Sequence, residues 1–246
     1  MDKNALDAAM DIHAEEEKRV LGGLGSYIHD LVYGANDGIV TTFAVVSGVA
    51  GAELSYATVV ILGLANVIAD GLSMGLGNYL SLRSKHDNYQ RVLKHELQEI
   101  DTEPMIAREE VRRLYLRKGL SGVQLEHVVS ALTEDRQLWA ETMMREEHGL
   151  SSEEVEKPVL HGCTTFLAFL VFGLIPIAPY ILGVAPETVF RSAIIATGIA
   201  LLSVGFLRSY VTKERIFKGP LEILFVGSVC AGTAYAAGAL LKSFVG

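Results

Sequence analysis

Five apolar stretches dominate the sequence, and each holds the roughly 20 residues that a helix needs to cross a lipid bilayer. Half of all residues are hydrophobic, 20% are charged, and the mean hydropathy is +0.32. This balance excludes a disordered chain and an ordinary soluble domain. The sequence therefore predicts an all-α membrane protein with five transmembrane helices, which we expect within residues 33–52, 57–82, 161–183, 188–207 and 221–241.

Charged residues concentrate between the second and third apolar stretches. Residues 83–158 hold 12 Lys and Arg and 16 Asp and Glu, more than half of the charges in the chain. We expect a helical insert there, whose first helix continues the second span as far as Pro104. A second helix should cover 105–118, and a third should run from Ser121 to about residue 148.

The third apolar stretch contains Gly173, Pro176 and Pro179. Each proline removes a backbone donor, so we expect this span to be kinked or interrupted. The predicted organisation is an N-terminal segment, two spans, a three-helix metal-binding insert and three further spans, at residues 1–30, 31–82, 83–158 and 159–246.

The distribution of Lys and Arg predicts the orientation in the membrane. The connections at 53–56 and 184–187 have none, whereas the insert has twelve and residues 208–218 have four, so the N-terminus and the insert should be cytoplasmic. The segment 1–30 has no apolar run, so the first span should serve as its own insertion signal. Because no extension has sorting character, we favour a prokaryotic plasma membrane, or a vacuolar membrane if the chain is eukaryotic.

Several function classes are disfavoured by composition and by missing motifs. The net charge of −8 argues against nucleic acid as a partner, since no basic stripe is available to neutralise phosphates. Cys163 and Cys230 lie in apolar stretches, which is typical of packing residues rather than of a disulfide or a zinc site. The sequence has neither a phosphate-binding G-x-x-x-x-G-K-[ST] motif nor a Glu-x-x-His pair. We therefore expect neither an enzyme nor a prosthetic group.

Carboxylates within the apolar stretches are the first functional signal. The apolar run after Asp37 is too short to cross a bilayer, so the first span must include Asp37 itself. Ionisable groups at this depth normally face a bundle interior, a partner or a cation path, although Asp37 and Asp70 could instead bond neighbouring amides and hold helices together. A thioether beside two carboxylates is a plausible ligand for a transition metal. Four residues of the second span recur at steps of four and share one helix face: Asn66, Asp70, Met74 and Asn78.

The insert carries a second set of acidic residues. Glu96 and Glu99 are three apart and share a helix face, which suits oxygen ligation of a divalent cation. Acidic runs on amphipathic helices are more often solvated faces balanced by nearby arginines, so the pattern needs independent support. The remaining acidic and thioether residues of this set are Glu103, Glu109, Glu110, Met143, Met144, Glu146 and Glu147.

Three sequence blocks resemble the vacuolar iron transporter family. Residues 29–48 read HDLVYGANDGIVTTFAVVSG, residues 65–81 read ANVIADGLSMGLGNYLS, and residues 143–150 read MMREEHGL. The resemblance covers nearly the whole chain. It implies a homodimer of five-span subunits in a lipid bilayer that exports Fe²⁺, and often Mn²⁺, from the cytosol in exchange for protons, with a pore at the dimer interface.

The resemblance also implies residue roles. Asp37 and Met74 would be ligands of the translocation path. The family often has Glu where Asn78 stands, and a glutamate of its metal site would fall near Ala107. The first difference would alter proton coupling or pore selectivity, and the second would weaken the cytoplasmic site unless other glutamates, Glu103 and Glu109, substitute. The implied cytoplasmic metal ligands are Glu96, Glu99, Glu110, Met143, Met144 and Glu147.

Two alternative functions remain open at the level of sequence. A membrane-anchored metal-binding sensor or oxidase without transport would also use an acidic insert, although an anchor would not need Asp37 and Asp70 inside the bilayer. A transporter for another ion, above all Mn²⁺, would use the same ligand types, because selectivity depends on geometry and metal supply as much as on ligand chemistry.

Overall fold

The computed structural model describes residues 24–151 and 157–245, and within these ranges every regular element is an α-helix. The predicted all-α class is therefore confirmed for the described part of the chain. Its nine helices are α1 (Leu24–Gly51), α2 (Tyr56–Thr102), α3 (Pro104–Arg117), α4 (Gly122–Glu134), α5 (Arg136–Glu146), α6 (Pro158–Gly173), α7 (Ala178–Ile181), α8 (Pro186–Thr212) and α9 (Lys218–Val245).

Three of the described helices, α2, α8 and α9, are long and apolar enough to cross a membrane. Helix α6 is apolar but has only 16 residues, which rise about 24 Å, less than the roughly 30 Å of a hydrocarbon core. Helix α1 has 28 residues, but polar side chains at Asp30, Asn36 and Asp37 interrupt its apolar surface. The expectation of five spans therefore stays a prediction.

The break predicted in the third apolar stretch is confirmed. Helix α6 ends at Gly173, a turn follows, and the four-residue helix α7 begins at Ala178 with Pro179 in its first turn. Proline is tolerated at this position because the first backbone N–H groups of a helix have no partner within it.

The described chain forms two compact units. The first comprises the described residues up to Tyr79 and those from Val159 onward, and in it α1 packs against α8 and α9. Glycines let its helices approach closely: a Cβ atom on Gly34 of α1 would lie 2.4 Å from the carbonyl oxygen of Thr165 in α6. Any larger residue at Gly34 would therefore push α1 away from α6. The buried core of this unit includes Ile39, Val46, Val67, Phe169, Ile177 and Val204.

The second unit, Leu80–Pro158, contains the end of α2 together with α3, α4 and α5. Helix α2 continues unbroken to Thr102 and ends before Pro104, as predicted. Helix α3 runs from Pro104 to Arg117, which is within one residue of the predicted range 105–118. The core of the second unit is built from apolar residues of these four helices: Ile100, Ala107, Val111, Leu114, Leu125, Val129, Trp139, Ala140 and Met143.

The prediction of one helix from Ser121 to about residue 148 is wrong. The segment folds as α4 and α5, which meet at Asp135, and the carboxylate of Asp135 accepts a hydrogen bond of 2.8 Å from the backbone N–H of Leu138. Aspartate competes with helix continuation because its side chain satisfies the N–H groups at the start of a new helix. Ser121 lies at the N-cap position of α4, but its side chain makes no capping bond.

Candidate functional site

Asp37 and Asp70 form a carboxylate pair within the first unit. Asp37 lies half-buried in α1, and Asp70 of α2 is close enough for its charge to act on Asp37. Two negative charges placed this close repel each other. A bound cation or a proton would relieve this repulsion.

The remaining residues of the α2 stripe differ in their surroundings. Asp70 is exposed on the single chain, whereas Asn66, Met74 and Asn78 are partly buried. Met74 lies one helical turn beyond Asp70 on the same side of α2. Asp70 thus lies near Asp37, whereas Asn78 bonds to a different carboxylate.

The partner of Asn78 is Asp30, a residue that is only 4% exposed. The side-chain amide of Asn78 donates hydrogen bonds to Asp30 Oδ1 at 2.9 Å and to Thr165 Oγ1 at 2.8 Å. Nδ1 of His161 contacts the other oxygen of Asp30, and the hydroxyl of Thr165 donates to the carbonyl oxygen of His161 at 3.0 Å. These four residues, which we call the Asp30 network, join α1, α2 and α6.

The Asp30 network gives a physical role to the neutral residue at position 78. A glutamate there would bring a second carboxylate against Asp30, whereas an amide offers two N–H donors. Sequence reasoning missed Asp30 and His161. Asp30 lies seven residues before Asp37, two turns along the same helix face, and that spacing could have drawn attention to it.

Acidic residues of the insert surround a cavity of about 380 Å³ in the second unit. Glu96 is 5% exposed, and its Oε1 lies 2.9 Å from Nε2 of His148. Nδ1 of His95 lies 3.7 Å from an oxygen of Glu99. Candidate ligand atoms of His95, Glu96 and Glu99 all lie within 4.8 Å of one another. We call this the insert cavity, and its lining is Arg91, Val92, His95, Glu96, Glu99, Glu110, Glu147 and His148.

The carboxylates of the insert cavity repel one another. Burial raises the pKa of Glu110, and the negative charges of Glu99, Glu147 and Glu96 raise it further, while Arg113 lowers it by less. Because this repulsion destabilises the ionised carboxylates, binding of a cation or a proton in the cavity is favoured.

The other residues proposed for the insert lie elsewhere. Met143 and Met144 are each 1% exposed: Met143 packs in the insert core, and Met144 packs against Tyr89. Glu103 is exposed at the N-cap of α3 and is absent from the described lining of the cavity.

Ala107, Glu109 and two histidines of the insert remain to be compared with the site predicted from the sequence. Ala107 is buried in the insert core, and Glu109 pairs with Arg113 at 3.2 Å. His95 and His148 were not among the ligands predicted from the sequence, yet both line the cavity. His95 and Glu99 are four residues apart on α2, a spacing that could have indicated their shared face.

Comparison with known proteins decides the family. The sequence model described as VIT family matches residues 28–239, which includes the Asp30 network, Asp37, Asp70 and the insert cavity. The chain belongs to the VIT family.

Curated members of the VIT family are similar over most of their length. Vacuolar iron transporter 1 of Eucalyptus grandis is 32% identical over 229 residues, which cover 90% of this chain and 92% of the relative. Vacuolar iron transporter 2 of Oryza sativa subsp. japonica is 32% identical over 211 residues, 86% of each chain. The vacuolar iron transporter of Toxoplasma gondii is 30% identical over 253 residues, covering 99% of this chain and 83% of the relative.

Proposed function

We propose that this VIT-family chain exports Fe²⁺ from the cytosol in exchange for protons. Membership in a family whose curated relatives are named vacuolar iron transporters supports iron as the cargo. The observation that carries the proposal is the carboxylate pair of Asp37 and Asp70 on two apolar helices. A hydrated divalent ion cannot enter hydrocarbon, so a path must replace its water with side-chain oxygens or sulfur. Asp37, Asp70 and Met74 supply both kinds of ligand.

The pore lies between two copies of the chain. On a single copy Asp70 is exposed beside large apolar side chains, among them Ile68 and Leu72. A charged carboxylate facing lipid at mid-bilayer costs at least about 2.5–3.5 kcal/mol on insertion scales. A second copy that covers this surface of α2 removes Asp70 from lipid and encloses a path with both sets of ligands.

The chain crosses the membrane five times, with its N-terminus and insert in the cytoplasm. The concentration of Lys and Arg in the insert and in residues 208–218 supports this orientation. Helix α1 and the broken pair α6 and α7 supply the spans beyond α2, α8 and α9. Polar or irregular backbone at membrane depth is tolerated where it is buried in protein or lines a path.

The insert collects metal before it enters the pore. The insert cavity offers several carboxylate oxygens and two imidazoles, a set that accepts Fe²⁺ and also Mn²⁺. Protons compete with metal for the same carboxylates, so low pH favours release.

Reconstitution into liposomes tests the function. With an acidic lumen, the wild-type protein should carry external Fe²⁺ inward while the luminal pH rises. Asp37→Ala and Met74→Ala should each abolish this uptake, because each removes a path ligand, while the protein still forms dimers. Asp87→Asn is the control, since Asp87 is an exposed carboxylate of the second unit that pairs with Arg83, whereas the path ligands belong to the first unit. Undiminished uptake by Asp37→Ala would remove Asp37 from the path.

The same assay separates transport from the alternative of a membrane-anchored sensor or oxidase. A sensor or an oxidase binds metal at the insert but carries no flux across the membrane. Metal binding by the wild-type protein without Fe²⁺ uptake under any pH gradient would therefore favour that alternative.

A further inference from the structure

Among the residues that the structure describes, no lysine or arginine pairs with the buried carboxylate of Asp30. Among the described residues its ion-pair partners are two histidines, His161 at Nδ1 and His29 at 4.0 Å, and its other bonded neighbour is the neutral amide of Asn78. An arginine in this place would keep its positive charge throughout the physiological pH range. Imidazole is the side chain whose charge changes near neutral pH.

The Asp30 network can therefore exist in two charge states that differ by one proton. In one, a neutral His161 donates its Nδ1–H to the Asp30 carboxylate, and the pair carries one negative charge. In the other, an imidazolium faces the carboxylate and the pair is neutral overall. Because Asp30 is 4% exposed, each state has a different electrostatic energy with its surroundings.

An exposed imidazole lies beside the buried pair. The side chain of His29 lies beside Asp30 and is 84% exposed, whereas that of His161 is 14% exposed. The ring of Tyr27 packs against His161, with 4.7 Å between the ring centroids. His29 is thus an exposed imidazole adjacent to a buried carboxylate–imidazole pair, which suits proton exchange with solvent.

The Asp30 network is also connected to the helices that carry the cation ligands. Asp30 lies two turns before Asp37 on α1, and Asn78 lies one turn after Met74 on α2. Asn78 holds Asp30 and Thr165 together through its two N–H groups. A change of charge on Asp30 and His161 therefore alters the bonds that join α1, α2 and α6.

We propose that Asp30 and His161 form a proton-binding site of the exchanger, separate from its cation ligands. This inference rests on the proposed function, and it assigns the coupling between iron transport and proton movement to Asp30 and His161. One proton binds when His161 becomes an imidazolium against Asp30, and the same proton leaves when the imidazole becomes neutral. The Asn78 and Thr165 bonds transmit the change to α1 and α2.

Two liposome assays on the full-length protein test this assignment. The first measures Fe²⁺ uptake and luminal pH under an acidic luminal gradient. The second measures exchange of labelled for unlabelled Fe²⁺ at equal pH, which needs the path but no net proton movement. The variants are His161→Gln and Asp30→Asn, which remove the titratable groups, and Asp30→Glu, which keeps a carboxylate. Thr164→Val is the control, because it makes the corresponding change on α6 at a residue whose hydroxyl bonds the carbonyl oxygen of Leu160 in the same helix rather than a member of the Asp30 network.

We expect His161→Gln and Asp30→Asn to retain iron-for-iron exchange and to lose both the acceleration by the pH gradient and its pH dependence. Asp30→Glu should recover part of the acceleration, and Thr164→Val should keep it. Gradient-driven uptake that survives in His161→Gln would overturn the proposal, as would an equal loss of acceleration in Thr164→Val. If Asp30→Asn does not fold, His161→Gln decides alone. Absence of both kinds of Fe²⁺ flux in the wild-type protein would instead overturn the proposed function.

Discussion

Some single residues of this protein carry a negative charge where burial and neighbouring carboxylates make ionisation unfavourable. Glu110 shows this in the insert cavity: burial and three neighbouring carboxylates raise its pKa. An acid with a raised pKa binds protons more tightly in the folded state than in the unfolded state. Its contribution to stability is therefore greatest at low pH and is lost as the pH rises through the interval between its ordinary and its raised pKa.

Glu110→Gln should stabilise the metal-free protein near neutral pH and weaken its response to metal. The substitution removes a repelled charge and one oxygen ligand of the insert cavity. In a thermal unfolding measurement the melting temperature should rise without metal, and the further increase on adding Mn²⁺ should shrink.

Glu109→Gln is the matched control on the same helix. Glu109 pairs with Arg113 at 3.2 Å and with Arg112 at 3.8 Å, so its loss removes attraction rather than repulsion. It should leave the response to Mn²⁺ unchanged. An Mn²⁺ response of wild-type size in Glu110→Gln would remove Glu110 from the site.

At the scale of elements, the ends of helices decide where the insert side chains lie. The bend at Asp135 separates α4 from α5, and α5 carries Met143 and Met144 into buried positions. Gly149, at a φ of +64°, follows α5 where the chain turns near His148 and Glu147. The bond of His148 to Glu96 thus depends on where α5 begins and ends.

Asp135→Ala should destabilise the insert by about 1 kcal/mol, the usual cost of losing an N-cap hydrogen bond. Ser121→Ala, at the N-cap of α4, should cost less, because Ser121 makes no capping bond. Trp139 is the single tryptophan of the chain, and it is 7% exposed in the insert core. Its fluorescence during denaturant unfolding therefore reports on this unit, and equal losses in both variants would contradict the role of the Asp135 cap.

At the scale of the whole molecule, the exposed surface of α2 needs a partner if Asp70 is to be shielded from lipid. Exposed apolar residues surround it, and the helix is only partly covered within one chain. The proposed pore between two copies follows from this surface.

Cysteine cross-linking tests this arrangement. In a chain whose Cys163 and Cys230 are replaced by serine, Ser73→Cys should cross-link two copies in the membrane, since Ser73 is exposed on α2 close to Asp70. Ser203→Cys on α8 is the matched control: it makes the same substitution at another exposed position and should not cross-link. Cross-linking at Ser203 and none at Ser73 would place the contact on a different surface.

Local sequence signals were sufficient for the class of the protein and for several of its boundaries. Hydropathy predicted an all-helical membrane protein, and prolines predicted the end of α2 and the break after α6, because these residues act on the backbone where they stand. Three blocks, residues 29–48, 65–81 and 143–150, were sufficient to identify the family. The break at Asp135 was missed because an aspartate in a polar helix can face solvent as well as cap a new helix.

Contacts between distant residues needed the tertiary structure. His161 lies 131 residues from Asp30, and His148 lies 52 residues from Glu96, so no local periodicity joins either pair. Packing of α1, α2 and α6 brings the first pair together, and the fold of the insert brings the second. The sequence by itself determined that this chain is helical, apolar and a member of its family. Only helix packing decided which carboxylates meet a histidine and which meet one another, because burial and proximity set the charge of an acidic side chain.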